Sequence, residues 1–179
     1  MKIIEAKLNW DELFMGIAAL ASMRSKDPST KHGAAIVNPI NRRLISMGYS
    51  GMPLGDDDNY PWSKDSKERY KTKYPYVIHC EINAILNATR DLNGSTMYVY
   101  SERKYLPCNE CMKTIIQSGI KEIVLTDIID TNTIEYDWKP TLHMARVSRI
   151  KIRNIGKVNS KNSFLKISKE LTDMAKMLD

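Results

Sequence analysis

Residues 79–126 read HCEINAILNATR-DLNGS-TMYVY-SERKYLP-CNECMKTIIQS-GIK-EIVLT, and this stretch decides the fold. Its pattern predicts helix over 79–90, strand over 96–100, helix over 108–118 and strand over 122–126. Asn93-Gly94 turns into the first strand. Pro107 stands at the start of the second helix, and Gly119 is placed at its C′ position. Upstream, Trp10, Leu13, Phe14, Ile17, Ala18 and Ala21 follow the i, i+3, i+4, i+7 stripe of an amphipathic helix over 10–24. Asn9 and Glu12 form its capping box, and Asp27-Pro28 stops it. The runs 33–38 (GAAIVN) and 43–49 (RLISMGY), joined by a turn at 39–42, read as a hairpin. Downstream, 127–137 reads as loop, 138–145 as a short helix, 147–152 as a strand and 164–178 as a helix. A hairpin followed by repeated helix–strand units predicts an α/β fold, a three-layer α/β/α domain with a five-stranded mixed sheet. The expected division is a main domain over 1–155 and a basic C-terminal tail or helix over 156–179.

The chain has 179 residues, a normal length for one domain. Its hydrophobic share of 42% and charged share of 27% are globular values and argue against disorder. No run approaches the ~18 apolar residues of a membrane span. Met1–Lys7 has neither an apolar core nor a small-residue cleavage site, so no signal peptide and a cytoplasmic location are expected. The net charge of +6 hints at an anionic partner. Its distribution changes that reading. Residues 146–169 hold eight basic residues and no acid, whereas the rest of the chain has 19 basic against 21 acidic. The rest of the chain is therefore near neutral, which removes the net charge as evidence for a polynucleotide partner, and the basic stretch reads as a solvated or subunit-contacting surface.

Three cysteines and no secretory signal argue against a disulfide framework. Cys108-Asn109-Glu110-Cys111 is a C-x-x-C, which suits a redox pair, half of a metal site or two buried thiols. A thioredoxin-like pair belongs after a first strand, and this one lies past the midpoint. Other ligands decide, and His79-x-Glu81 supplies them. H-x-E followed by P-C-x-x-C is the signature of zinc deaminases. A catalytic zinc takes three protein ligands and keeps one position for water. Here the ligands are His79, Cys108 and Cys111. The two cysteines, spaced i, i+3, share one face of a helical first turn. A helix N-terminus favours thiolate over thiol. Glu81 lies in the same turn as His79 and is placed to move the proton of the activated water. Cys80 reads as a buried small hydrophobe. His32 and His143 lack ligand spacing, so an open catalytic site is preferred to a closed structural one.

The chain resembles deoxycytidylate (dCMP) deaminases of the cytidine deaminase-like superfamily, most of all the eukaryotic type. The resemblance is carried by Phe14-Met15, Arg24-Ser25-Lys26-Asp27-Pro28, Gly33-Ala34, Gly48-Tyr49-x-Gly51-Met52-Pro53, Pro61-Trp62, Lys73-Tyr74-Pro75-Tyr76-Val77, His79-x-Glu81-x-Asn83-Ala84-Ile85 and Pro107–Cys111. It is close from residue 9 to 127 and fades afterwards. It implies zinc-dependent hydrolysis of dCMP to dUMP and ammonia, a hexamer, and control by dCTP and by dTTP with Mg2+. It implies that His79, Cys108 and Cys111 bind zinc and that Glu81 shuttles protons. The backbone N–H of Cys80 would face the pyrimidine carbonyl, and the Leu106 carbonyl would lie near the departing ammonia. Ser50 stands where the family has a sugar-binding asparagine. Lys26, in the cationic 24–31 loop, is placed to meet the phosphate. The Gly- and Asp-rich 50–62 loop is either the effector site or a solvated loop. His32 replaces an aliphatic residue, either as core or as a polar group near the base. Asp127 and Asp130 stand in a loop where relatives hold an aromatic residue and a polar or basic one near the phosphate, which means a shifted alignment or a changed preference. Alternatives are a deaminase of dCTP or of a 5-substituted dCMP, a deaminase of a flipped base in tRNA or single-stranded DNA, and a non-catalytic nucleotide-binding regulator. Neither a polynucleotide nor a membrane partner is expected.

Overall fold

Asn9 starts the first helix, α1 (Trp10–Ser22), through a complete capping box. Its side chain accepts from the Glu12 N–H at 2.9 Å, and its own N–H donates to the Glu12 carboxylate at 2.8 Å. The computed structural model describes residues 8–128 and 138–176, with backbone alone at 157–160, 162, 163, 170 and 174.

After α1 come β1 (His32–Val37) and β2 (Leu44–Tyr49), an antiparallel hairpin. Its turn is held by Asn38, whose side-chain oxygen accepts from the N–H groups of Ile40 and Asn41 at 2.9 and 3.2 Å. Then follow α2 (Cys80–Leu86), β3 (Thr96–Ser101), α3 (Asn109–Gln117), β4 (Glu122–Leu125), α4 (Lys139–Val147), β5 (Lys151–Asn154) and α5 (Lys157–Lys176). The five strands form one mixed sheet in the order β2-β1-β3-β4-β5. β1 is antiparallel to both β2 and β3, while β3, β4 and β5 run parallel.

The sheet is covered on both faces, which is why its central strands read as unbroken apolar runs. Alternate side chains feed two separate cores. Ala34, Ile36, Met97, Val99, Ile123 and Leu125 pack with Cys80 and Ala84 of α2, Cys111 and Ile115 of α3, and Ala145 of α4. Ala35, Val37, Tyr98 and Val124 point the other way and pack on Phe14, Met15 and Ala18 of α1. Phe164 of α5 joins that second core, its ring edge-on to Tyr100 at 5.4 Å. This is the three-layer α/β/α arrangement with a five-stranded mixed sheet.

Three element boundaries differ from the pattern. The helix expected over 79–90 ends at Leu86. Asn87 caps it, and the Asn87 amide donates to the Met47 carbonyl at 3.2 Å, tying the helix end to β2. The strand expected from 147 starts at Lys151, because α4 runs through Val147 and Arg149 then reverses the chain at φ +56°. Ile150 and Ile152 are in phase for a strand and Val147 is not. The last helix begins at Lys157 rather than 164. Among the described residues, no helix is long and apolar enough to cross a membrane.

Three cations of the basic stretch face acids of the fold. Arg153 makes a two-pronged pair with Asp11 at 2.6 and 2.8 Å and reaches Glu122 at 3.0 Å. Lys151 also meets Glu122 at 3.0 Å, and Lys166 meets Glu12 at 3.5 Å. These pairs spend part of the positive charge inside the chain.

Candidate active site

Two helix N-termini meet on one side of the sheet. His79 is the N-cap of α2 and Cys108 the N-cap of α3, both with extended backbone. Helix α2 is fixed to β2 by close approach at Gly48. A Cβ there would lie 2.3 Å from the Ala84 nitrogen and 2.6 Å from the Cys80 oxygen. Three hydrogen bonds reinforce the contact. Ser46 Oγ donates to the Ala84 carbonyl at 2.7 Å, Asn83 Nδ2 to the Tyr49 carbonyl at 2.8 Å, and Asn87 to Met47 as described. On the other side, the buried Thr141 of α4 donates at 3.2 Å to the carbonyl of Pro107, which precedes α3.

The result brings His79, Cys108 and Cys111 together. Their donor atoms lie within 4.8 Å of one another, the one such His/Cys/Asp/Glu group among the described residues. His79 Nδ1 is 3.3 Å from Cys111 Sγ and 3.5 Å from Cys108 Sγ. In a tetrahedral zinc site, bonds of ~2.3 Å to sulfur and ~2.0–2.1 Å to nitrogen put those donors about 3.6 Å apart. One imidazole and two thiols at this spacing fit zinc. The Cys111 thiol, with His79, stabilises the Cys108 thiolate and pushes that group down to about 4. Hydrogen bonding to Cys108 and burial push Cys111 up. His79 is raised, chiefly by its contact with Cys108.

Glu81, two residues after His79, is fully buried. Its Oε1 accepts from the Tyr105 hydroxyl at 2.8 Å and its Oε2 from the Cys80 thiol at 3.2 Å. Burial and the neighbouring Glu81 raise both the Cys80 thiol and the Tyr105 phenol well above their ordinary values, so both stay donors. Tyr105 is fixed in turn. Its N–H donates to the Asp127 carbonyl at 3.0 Å, a bridge pairs it with Ile128, and the His32 ring packs on it at 4.7 Å. His32 thus sits beside the site. Its buried Nδ1 has no hydrogen-bond partner among the described residues, and burial lowers its affinity for a proton.

The other expected contacts are placed as follows. Ser50 is buried at the end of β2. Its N–H donates to the His32 carbonyl at 3.1 Å, and its carbonyl accepts from Ser25 Oγ at 2.5 Å. Cys80 and Leu106 are fully buried. Lys26 is engaged by the 50–62 loop, 3.3 Å from Asp58 and 3.9 Å from Asp57. That loop is internally braced, with Asp57 accepting from the Met52 N–H at 3.2 Å and from the Trp62 indole at 2.9 Å. Asp127 is half-buried, and Asp130 lies outside the described residues.

Two contacts of the site are not announced by any spacing in the sequence. Tyr105 sits in the polar run Ser-Glu-Arg-Lys-Tyr, outside any strand, and its one signal is being the aromatic residue three places before Cys108. Lys73 forms a buried ion pair with Asp27, both side chains being under a tenth exposed. Asp27 also accepts from the N–H groups of Ser29 and Thr30 at 2.8 and 3.2 Å.

A three-layer α/β/α sheet with a His/Cys/Cys group across two helix N-termini, and a buried glutamate two residues after the histidine, defines the cytidine deaminase-like class. Within it, the chain belongs to the family described as the cytidine and deoxycytidylate deaminase zinc-binding region, which matches residues 8–127. The deoxycytidylate deaminases of Mus musculus and Homo sapiens are 50% and 49% identical to it over 119 residues. That match spans 65% of this chain and 64% of those relatives' length. The deoxycytidylate deaminase of Enterobacteria phage T2 is 33% identical over 184 residues, 82% of this chain and 92% of that protein. Among solved structures, the dCMP deaminase of cyanophage S-TIM5 in complex with dCMP and dUMP shares the fold. Its TM-score is 0.59 at 22% identity, over 80% of this chain and 95% of that one.

Proposed function

We propose that this protein hydrolyses dCMP to dUMP and ammonia. The observation that carries the reading is the convergence of a buried Glu81 with the His79, Cys108 and Cys111 donors at two helix N-termini. The relatives named deoxycytidylate deaminase supply the substrate. His79, Cys108 and Cys111 would hold zinc. When bound, zinc supplies a Lewis acid that makes water a nucleophile near neutral pH. With such a water, Glu81 would take one proton and pass it to the ring nitrogen, then take the second, left on the hydroxyl now bound to the ring carbon, and hand it to the amine, which leaves as ammonia. The Cys80 N–H orients the base through its carbonyl oxygen, and the Leu106 carbonyl faces the amine as it leaves. Ser50 meets the sugar. Lys26 meets the phosphate, which competes for it with Asp57 and Asp58.

The resemblance further supports a cytoplasmic homo-oligomer, a hexamer, activated by dCTP and inhibited by dTTP with Mg2+. It also supports residues 1–155 as the catalytic domain. Ammonia release from a panel of cytosine nucleosides, monophosphates and triphosphates, with and without dCTP and dTTP, tests the substrate and the regulation together. Glu81→Gln tests the mechanism. It is expected to keep one zinc per chain and to lose about 10²–10⁴-fold in kcat, the usual contribution of a general acid–base group. Undiminished turnover in that variant would overturn the assignment.

A further inference from the structure

We propose that Tyr105 is a positioning residue for Glu81, an inference that rests on the deaminase reading above. A carboxylate has about four lone-pair sites. The Tyr105 hydroxyl takes one on Oε1 at 2.8 Å and the Cys80 thiol one on Oε2 at 3.2 Å. That leaves one site free on each oxygen. A proton shuttle between water and a ring nitrogen needs two free sites, one facing each partner.

The two existing contacts differ in strength. A thiol is a weak donor, whereas a phenol donating to a carboxylate makes a charge-assisted bond. Tyr105 therefore sets the torsion of the Glu81 carboxylate. It can do so because its own position is over-determined. The N–H bond to Asp127 and the bridge to Ile128 anchor its backbone to the segment that follows β4, and the His32 ring at 4.7 Å walls one side of the phenol. The carboxylate is thereby referenced to the sheet, from an element other than the helix that carries it. Burial alone would hold Glu81 away from solvent but would not choose its torsion.

A merely structural tyrosine would bury its ring and satisfy its hydroxyl with whatever acceptor lies near. Tyr105→Phe separates the two roles, since it keeps the ring and removes one oxygen. The experiment measures kcat and KM for dCMP, zinc content and melting temperature of the full-length Tyr105→Phe protein beside the unaltered one. The positioning role predicts a kcat lower by about 10–100-fold, the usual cost of losing a supporting hydrogen bond in a metal site. KM and zinc stoichiometry stay unchanged. A kcat equal to that of the unaltered protein overturns the positioning role and leaves the deaminase reading standing. So does a loss confined to melting temperature or zinc content. If the unaltered protein releases no ammonia from any cytosine nucleotide, both readings fall.

Discussion

Gly48→Ala converts the contact between β2 and α2 into a measurable displacement of the site. The added Cβ would lie 2.3 Å from the Ala84 nitrogen, 2.6 Å from the Cys80 oxygen and 2.8 Å from the Asn83 carbonyl carbon. Ordinary contact begins at 3.4 Å. All three atoms are backbone, so no side chain can rotate away, and α2 must lift by about 1 Å. Overpacking of that kind costs about 1–3 kcal/mol, or a fall in melting temperature of about 2–12 °C for a chain of this size. The larger effect falls on the chemistry. α2 carries Glu81 and follows directly from His79, while Cys108 and Cys111 belong to α3 and stay behind. A 1 Å misplacement of a reacting group costs on the order of 10²-fold in rate, and the same shift pulls the imidazole from the two sulfurs. The assay is ammonia release from dCMP well below the melting temperature, with zinc content measured on the same sample. Gly33→Ala is the control. Its Cβ would come within 2.0 Å of the Ala18 oxygen in α1, a helix that carries none of the donors. It should lose at least as much stability yet keep a kcat near that of the unaltered protein. A Gly48→Ala protein that melts earlier but turns over dCMP and binds zinc normally would refute the view that this contact positions the site.

The buried Lys73–Asp27 pair is expected to be costly to break singly. Lys73→Met leaves the Asp27 carboxylate buried and should destabilise the fold by about 3–5 kcal/mol. Adding Asp27→Asn should recover part of that, and a double variant no more stable than the single one would contradict the pairing. At the sheet edge, the hydrogen bond from Arg153 holds Asp11 below the ordinary carboxylate value. A depressed folded-state value means that the pair stabilises the protein fully at neutral pH. That stability fades as the pH falls below about 4 and through the lower folded value. Asp11→Asn should therefore lower the melting temperature at pH 7, and the gap to the unaltered protein should narrow in acid. An equal gap at both pH values would assign the loss to packing.

Much of the architecture was legible because it is written locally. The period-3.6 stripe from Trp10 to Ala21, the Asn9–Glu12 cap and the apolar runs at β1, β3 and β4 each depend on residues a few places apart. The ends of α2, α4 and α5 were less legible. Asn87 stops its helix through a bond to Met47 on a distant strand, and Val147 belongs to a helix only because the chain reverses at Arg149. The site divides in the same way. H-x-E and P-C-x-x-C name the donors, because ligands on the first turns of two helices must fall at fixed spacings. No spacing announces Tyr105 beneath Glu81 or Lys73 against Asp27, which lie 24 and 46 residues apart.

The sequence by itself determined the order of helices and strands and which residues form the candidate zinc donor set. Only the tertiary structure decided what holds the glutamate, how closely α2 approaches the sheet at Gly48, and that part of the positive charge at 146–169 is spent on Asp11, Glu12 and Glu122. The physical reason is reach. Periodicity and capping act within a few residues of chain. Hydrogen bonds between buried side chains and steric contact between layers depend on where the folded sheet brings distant segments together.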